Sequence, residues 1–249
     1  MPKKKIDTET LELIDNWVDT IKNKDFEPAD VERSLRYAKD LENGLDKIRT
    51  YPQGVTVFGS ARIQTNSKWY KLAENLGAEL AYHGHPVITG GGPAIMEAAN
   101  KGAYEAGGRT IGLCIKLEDE NPNKYLTDVI NFNYFFARKV MLTFSSKVFV
   151  FFPGGFGTLD EFSEIITLMK TEKMPQMPMF LVGKSFWKPF DSWIKSRMVK
   201  SFKTATIQER NIYKITDDIN EIVEAANKVG HPKINDNIYN NFSKTKQGL

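Results

Sequence analysis

Hydrophobic residues recur along this chain with two different periods, and the change of period divides the chain into two parts. In residues 1–50 the apolar side chains return every three or four positions, in one stripe that begins at Leu11 and a second that occupies residues 31–48. This spacing predicts two amphipathic helices, because positions three and four apart share one face of a helix. We expect these helices to pack on the rest of the protein or on a partner subunit.

After a break at residues 51–54, short apolar runs alternate with helical patterns. The predicted strands are residues 55–58, 86–89, 110–115, 129–132, 147–152, 179–182 and 212–215. The predicted helices are residues 68–83, 95–106, 136–145, 159–169, 186–200 and 218–229. This alternation predicts an α/β fold, in which a doubly wound, mostly parallel, Rossmann-like sheet carries helices on both faces. We therefore expect an N-terminal helical extension at 1–50, a nucleotide-binding domain at 51–230 and a polar tail at 231–249.

Composition narrows the class of protein. Hydrophobic residues make up 41% and charged residues 26% of the chain, which is ordinary for a globular protein. The net charge of +3 is too small to indicate a nucleic-acid partner. The lone Cys114 excludes an internal disulfide and suits a reducing compartment, so we expect a cytoplasmic protein. We expect neither secretion nor a membrane partner, because the chain has no signal-peptide apolar region and no run of about 18 apolar residues.

Glycine follows three of the predicted strands, at Gly59, at residues 90–92 and at residues 153–158. The carboxyl ends of parallel strands meet at one edge of a sheet, and ligands of such sheets bind there. Glycine allows a backbone to approach a ligand closely, and a following helix offers unpaired N–H donors at its positive end. Three such turns at one crevice predict a ligand that carries a phosphate group.

Two familiar phosphate motifs and a metal site do not fit the sequence. A dinucleotide fingerprint needs a third glycine, but residues 155–157 are followed by Asp160 at that position. Residues 183–185 look like the end of a P-loop, but Pro178 occupies the position of its first glycine. The three histidines lack the spacing of metal ligands, so we expect no metal.

Four segments, in order along the chain, resemble one known family. They are FGSAR at 58–62, GGGPAIMEAA at 90–99, FFARKVM at 135–141 and PGGFGTLDE at 153–161. The last resembles the PGGxGTxxE signature of the LOG ("LONELY GUY") family, whose members are often mislabelled lysine decarboxylases. The other three resemble the first glycine block, the second glycine block and the arginine–lysine motif of that family.

The resemblance implies a phosphoribohydrolase, which cleaves the N-glycosidic bond of a nucleoside 5′-monophosphate and releases the base and ribose 5-phosphate. AMP or an N6-modified adenine ribotide of the cytokinin-activating type is the implied substrate, with no metal or organic cofactor. By motif position the catalytic pair is Arg138 and Glu161. The implied substrate- and phosphate-binding residues are Gly59, Ser60, Arg62, Gly91, Gly92, Glu97, Lys139, Gly154, Gly155, Gly157 and Thr158. Family members usually form oligomers, so the resemblance implies at least a homodimer.

This chain departs from the family pattern at the second glycine block and beside the first. Ala94 stands where many relatives have glycine, and Arg62 and the Met96–Glu97 pair differ from the plant cytokinin branch. These departures leave the preferred base open and do not affect the reaction class that the resemblance implies.

Structural roles compete with the catalytic ones. Thr158 and Glu161 have the spacing of a capping box, in which both side chains bond backbone N–H groups at a helix start. Ser60 is a candidate cap for the helix after the first strand, and paired basic residues such as Arg138 and Lys139 often form a solvated helix edge. At the level of function, a non-catalytic carrier of nucleotide or molybdenum cofactor is the alternative. Pyridoxal-phosphate-dependent lysine decarboxylation is disfavoured, since no lysine stands in a suitable setting.

Overall fold

The computed structural model describes residues 8–23, 27–51, 54–116, 121–144 and 146–229, which contain seven strands and nine α-helices. The strands are β1 (Gly54–Phe58), β2 (Val87–Thr89), β3 (Thr110–Ile115), β4 (Asp128–Phe132), β5 (Ser146–Phe151), β6 (Met179–Val182) and β7 (Tyr213–Thr216). They form one sheet in the order β4-β3-β2-β1-β5-β6-β7, and all neighbours in this sheet run parallel. The expected doubly wound α/β fold is confirmed.

Helices separate the strands along the chain. They are α1 (Thr8–Asn23), α2 (Pro28–Ile48), α3 (Lys68–Tyr82), α4 (Ile95–Glu105), α5 (Phe135–Phe144), α6 (Phe156–Lys170), α7 (Lys184–Trp193), α8 (Ile207–Arg210) and α9 (Ile219–Lys228). Each element expected between residues 55 and 229 is present, and its ends differ from the expected ones by at most three residues. The second half of the helix expected at 186–200 is π-helical, over Ile194–Ser201, and the short α8 was not expected. The expected polar tail at 231–249 lies outside the described residues.

Strand β5 shows why this sequence forms a sheet with two covered faces. Its side chains alternate between two apolar clusters, with Phe149 and Phe151 in one and Val148 and Val150 in the other. Every residue of β5 is buried, as expected for an inner parallel strand with helices on both sides. The edge strand β4 instead alternates buried and exposed positions in its second half.

Helix α2 packs beside the start of α5 and fixes its position. The buried carboxylate of Asp40 accepts hydrogen bonds from the backbone N–H groups of Asn133 and Tyr134, at 2.7 and 3.0 Å. The amide nitrogen Nδ2 of Asn133 donates a third bond to Asp40, at 2.7 Å. A carboxylate at the first turn also suits the positive end of a helix. Helix α2 thus anchors the helix that carries Arg138.

The order of the strands reverses at β1, since β2 pairs with one edge of β1 and β5 with the other. In an open α/β sheet, such a reversal opens a crevice at the carboxyl ends of the two flanking strands. The loops that follow β1 and β5 therefore border the expected ligand crevice. None of the helices in the described ranges combines the length and apolar character of a membrane-spanning segment.

Candidate functional site

The three glycine-containing loops meet at the crevice and are tied together by backbone hydrogen bonds. The N–H of Ser60, after β1, donates to the carbonyl oxygen of Pro153, after β5, at 3.0 Å. The carbonyl oxygen of Ser60 accepts from the N–H of Ile95, at the start of α4, at 3.2 Å. The loop after β1 thus connects the other two, as the parallel arrangement of the strands predicted.

We call residues 153–158 the open turn. Helix α6 begins at Phe156, with Gly155 as its N-cap residue in an extended conformation. A Cβ atom added to Gly154 would overlap Thr158, so this part of the turn closes tightly on the first helical turn. At Gly155 and Gly157, by contrast, an added Cβ would meet no atom of the described residues within 4 Å apart from the adjacent residues and the backbone of α6 itself.

The capping-box interpretation of Thr158 and Glu161 is wrong. Because α6 starts three residues earlier than expected, Thr158 lies inside its first turn and Glu161 in its second. The N-cap position is taken by Gly155, whose extended backbone fits it, and no side chain caps this helix. The burial of Glu161 therefore has no explanation in helix capping.

We call residues 90–94 the packed turn. Its backbone is left-handed or strained at two positions, with φ of 75° at Gly91 and 60° at Ala94. A Cβ added to Gly91 would overlap the sulfur of Cys114, and one added to Gly92 would lie 2.7 Å from Cε of Met96. Protein atoms therefore fill the space around this turn.

Arg138 reaches the packed turn from α5. One of its guanidinium nitrogens would lie 3.8 Å from a Cβ added to Gly90, and its Cζ lies 5.1 Å from the ring centre of Phe135. Arg138 is half-buried, so it is not the solvated helix edge that paired basic residues often form. The arginine is positioned at the inner wall of the crevice.

Glu161 is the most unusual group at the site. Its side chain is 5% exposed, and its oxygen Oε2 is buried without a hydrogen-bond partner among the described residues. Burial raises the pKa of the Glu161 carboxyl from 4.5 to about 7, although the charges of Lys139 and Arg138 oppose that rise. A buried carboxyl group with an unused acceptor and a shifted pKa indicates a functional site.

Lys139 connects the two helices that carry the expected catalytic pair. Its ammonium nitrogen lies 2.8 Å from Oδ2 of Asp160 and 2.9 Å from Oε2 of Glu164, both on α6. The side chain of Lys139 is 19% exposed, so these ion pairs are partly shielded from water. They hold α5 against α6 and thereby fix Arg138 relative to Glu161. The expected phosphate contact of Lys139 stays a prediction.

The remaining expected site residues lie around the crevice. Ser60 does not cap a helix, because its Oγ accepts from the N–H of Arg62 at 3.0 Å and α3 begins later, capped by Ser67. Arg62 is exposed. Gly59 lies so close to α4 that an added Cβ would be 2.5 Å from Ile95. These positions are compatible with the expected binding roles of Gly59, Ser60 and Arg62, which stay predictions.

Glu97 lies in the first turn of α4 and is half-buried. Its oxygen Oε1 accepts a hydrogen bond from the hydroxyl of Tyr70 on α3, at 3.3 Å. This contact connects α3 and α4 beside the crevice, and a role toward ribose stays a prediction.

The described residues offer little support for a metal site or for a cysteine nucleophile. No group of three or more His, Cys, Asp or Glu side chains in them is arranged to hold a metal ion. The thiol of Cys114 is buried, and burial raises its pKa to about 11, so it is not a nucleophile at neutral pH. Sequence reasoning missed one residue, Asn123, which contacts the packed turn from a distant loop and belongs to no recognised motif.

The family model described as "possible lysine decarboxylase" matches residues 96–226, which is more than half of the chain. The chain belongs to this family, the LOG family. The match spans α4 to α9 and includes Arg138, Glu161 and the open turn.

Curated relatives carry a more specific name. The cytokinin riboside 5′-monophosphate phosphoribohydrolase of Rhodococcoides fascians is 26% identical over 170 residues, which cover 67% of this chain and 86% of the relative. The protein of the same name from Mycobacterium tuberculosis is 27% identical over 170 residues, covering 65% and 87%. A probable enzyme of this name from Oryza sativa is 31% identical over 108 residues, covering 42% and 51%.

Solved structures share the fold. The molybdenum cofactor binding protein of Rippkaea orientalis matches with a TM-score of 0.52 and 24% identity, covering 71% of this chain and 94% of that one. The molybdenum cofactor carrier protein of Chlamydomonas reinhardtii matches with a TM-score of 0.52 and 24% identity, covering 70% and 95%. At this identity the similarity establishes the fold alone.

Proposed function

We propose that this protein hydrolyses the N-glycosidic bond of a nucleoside 5′-monophosphate and releases the free base and ribose 5-phosphate. The observation that carries the proposal is the buried Glu161 carboxyl, with an unused oxygen and a pKa of about 7, on the helix that follows the open turn. The names of the curated relatives support the same reaction class.

The open turn is the proposed phosphate site. It lies at the N-terminus of α6, where backbone N–H groups and the helix dipole favour an anion. Among the described residues, the open space beside Gly155 and Gly157 leaves room for the phosphate oxygens to approach the backbone. Thr158, which is 6% exposed, adds a hydroxyl donor within the same turn.

Glu161 is the proposed base that activates water. With the phosphate at the start of α6, we propose that the ribose lies beside Glu161, which stands in the second turn of that helix. With a pKa of about 7, a large share of this carboxyl is ionised at neutral pH, and it is then basic enough to accept a proton from water. The water oxygen bonds to C1′ as the C1′–N bond breaks, and the bonding electrons leave with the base, which then takes up a proton.

Arg138 is proposed to stabilise the negative charges of this step. The planar guanidinium offers paired donors to phosphate or ribose oxygens, or to the departing base. Its guanidinium lies beside Gly90 of the packed turn. No metal or organic cofactor takes part in the proposed step, and we propose AMP and N6-modified adenine ribotides as the first substrates to test.

The test is the release of base from a panel of nucleoside 5′-monophosphates, with Glu161→Gln as the decisive variant. Glutamine keeps the shape of the side chain but cannot accept the proton, so we expect kcat to fall about 10²–10⁴-fold. Glu172→Gln is the matched control, because Glu172 is exposed in the turn that follows the C-terminus of α6. Turnover by Glu161→Gln within a few-fold of wild type would contradict the proposed role.

The second candidate is a protein that binds its ligand without converting it. The fold shared with molybdenum cofactor carriers favours this candidate. Equilibrium binding measured beside turnover separates the two. Ribotide bound with micromolar affinity, yet recovered intact after prolonged incubation with wild-type protein, would establish binding alone.

We also propose at least a homodimer. Helix α1 exposes Leu11, Ile14 and Trp17, each by 45% or more, and α5 exposes Phe135 and Phe136. Apolar side chains exposed in such number are typical of surfaces that contact another subunit. Light scattering after size-exclusion chromatography measures the mass, and a mass of 28.3 kDa, that of one chain, would contradict this proposal.

A further inference from the structure

Asn123 lies in the loop between β3 and β4 and forms hydrogen bonds with the packed turn. Its side-chain nitrogen Nδ2 lies 3.1 Å from the carbonyl oxygens of both Gly91 and Gly92. Its backbone N–H donates to the same Gly91 oxygen, at 2.8 Å. One residue from a distant loop therefore satisfies two consecutive carbonyl groups of the turn.

The same side chain is itself held in place. Its oxygen Oδ1 accepts from the N–H of Tyr125 at 3.1 Å, and Nδ2 also lies 3.1 Å from Oδ1 of Asn100, a fully buried residue. These contacts fix which end of the Asn123 amide is the donor, because Nδ2 faces three oxygens and Oδ1 faces an N–H group.

Thr89 and Asn100 complete the network from the other side. The hydroxyl of Thr89 accepts from the N–H of Gly91 at 2.9 Å and donates to Oδ1 of Asn100 at 2.7 Å. Both backbone polar groups of Gly91 are thus bonded, its N–H by Thr89 and its carbonyl by Asn123. The network thus fixes Gly91 within the packed turn.

The turn needs such a network because its backbone is strained. Ala94 has a φ of 60° and a ψ of −115°, a conformation that is unfavourable for a residue with a side chain. Strain of this kind persists only where surrounding contacts determine the conformation. Since the turn lies beside the Arg138 guanidinium, its shape also sets one wall of the candidate site.

We propose that Asn123 is a positioning residue of this site, whose side-chain amide holds the packed turn in the shape that receives the ligand. The effect on turnover rests on the proposed function, whereas the effect on the turn does not. Without the amide, the turn samples other shapes, and ligand binding has to restore the competent one. The apparent affinity for the ligand is then the intrinsic affinity multiplied by the fraction of molecules whose turn has the competent shape.

The first measurement is amide hydrogen exchange, which needs no substrate. In wild-type protein we expect slow exchange at the N–H groups of Gly91 and Asn123, which are both bonded within the network. In Asn123→Ala we expect exchange of the Gly91 N–H to accelerate at least about tenfold, with β5 unchanged. Asn121→Ala is the matched control, since Asn121 is exposed two residues earlier in the same loop.

An isosteric variant sharpens the test. Asn123→Asp keeps the size of the side chain but turns a carboxylate toward three oxygen atoms, so we expect faster exchange than in Asn123→Ala. A residue that merely fills space would give the opposite order. If neither variant folds, the exchange rates of the Gly91 and Asn123 N–H groups in wild-type protein serve as the test. Exchange of these groups at the rate of an unstructured peptide would overturn the proposal.

The second measurement is steady-state kinetics with the best nucleoside monophosphate. We expect Asn123→Ala to raise KM about tenfold and to change kcat less than threefold, since a lost pre-organised turn costs binding energy. Unchanged exchange in Asn123→Ala, or a loss of kcat at constant KM, would overturn the inference. If wild-type protein turns over no nucleotide, the proposed function fails, while hydrogen exchange still decides the role of Asn123.

Discussion

Two glycine-rich turns border the same crevice, yet glycine serves a different purpose in each. In the packed turn, Gly91 has a φ of 75°, and a side chain there would overlap Cys114. In the open turn, Gly155 has a φ of −93°, and a Cβ added to Gly155 or Gly157 would meet no described atom within 4 Å beyond the adjacent residues and the backbone of α6. The fold therefore requires glycine in the packed turn and does not require it at these two positions of the open turn.

This difference distinguishes a glycine needed for folding from one needed for binding. The open turn combines space, backbone donors at a helix N-terminus and an adjacent buried carboxyl, and Phe156 between its two glycines is 91% exposed. The side chains of the described residues leave this space open. Under the proposed function, the absence of a side chain at these positions allows the phosphate to approach the backbone.

The largest effect on stability is expected for Gly91→Ala in the packed turn. A left-handed conformation costs alanine about 1–2 kcal/mol, and the overlap with Cys114 adds about 1–3 kcal/mol. Urea denaturation should therefore show a loss of about 2–5 kcal/mol in the free energy of unfolding. A variant as stable as wild type would mean that the turn is not packed as described.

Glu161 makes stability depend on pH. Because burial raises the carboxyl pKa from 4.5 to about 7, its contribution to stability is fully present below pH 4.5 and is lost as the pH rises through 7. The difference amounts to about 3 kcal/mol. Glu161→Gln, which does not titrate, should match wild type near pH 4.5 and exceed its stability by about 3 kcal/mol at pH 8. Urea denaturation at both values tests this, and parallel curves would contradict a buried, raised-pKa carboxyl.

The smallest effect on stability is expected for Gly157→Ala in the open turn, and its sign is opposite to that of Gly91→Ala. Gly157 lies in the first turn of α6, where alanine is favoured over glycine by about 0.5–1 kcal/mol. We expect a slightly more stable protein whose kcat/KM falls at least about tenfold, because the new methyl group occupies the proposed phosphate site. A variant that gains stability and keeps full activity would place the phosphate elsewhere.

Periodicity in the sequence was sufficient to predict the sheet. The buried parallel strands are continuous apolar runs, and β3 and β6 have the expected ends. The start of α6 was predicted three residues too late, because Thr158 has a strong capping signal and the extended backbone of Gly155 leaves no side-chain signal. The π-helical turn at Ile194–Ser201 has no pattern of its own that separates it from an α-helix.

Sequence motifs predicted some residues of the candidate site and missed others. Glu161 follows a glycine turn at the expected edge of the sheet, whereas Arg138 was singled out only by the resemblance of its motif to the LOG family. The hydrogen bonds from Asn123 to Gly91 and Gly92 join residues about 30 positions apart, and no local sequence motif predicts them. The distinction between a packed and an open turn depends on what surrounds each glycine, which a single sequence does not contain.

The central claim is that the open turn binds a sugar phosphate and presents its anomeric carbon to Glu161. A crystal structure of the Glu161→Gln variant soaked with AMP tests this most directly, since slow turnover preserves the bound nucleotide. The account predicts phosphate oxygens within hydrogen-bond distance of the backbone N–H groups of residues 155–158, and C1′ beside the side chain of residue 161. An empty open turn, or a nucleotide whose ribose faces away from residue 161, would contradict it.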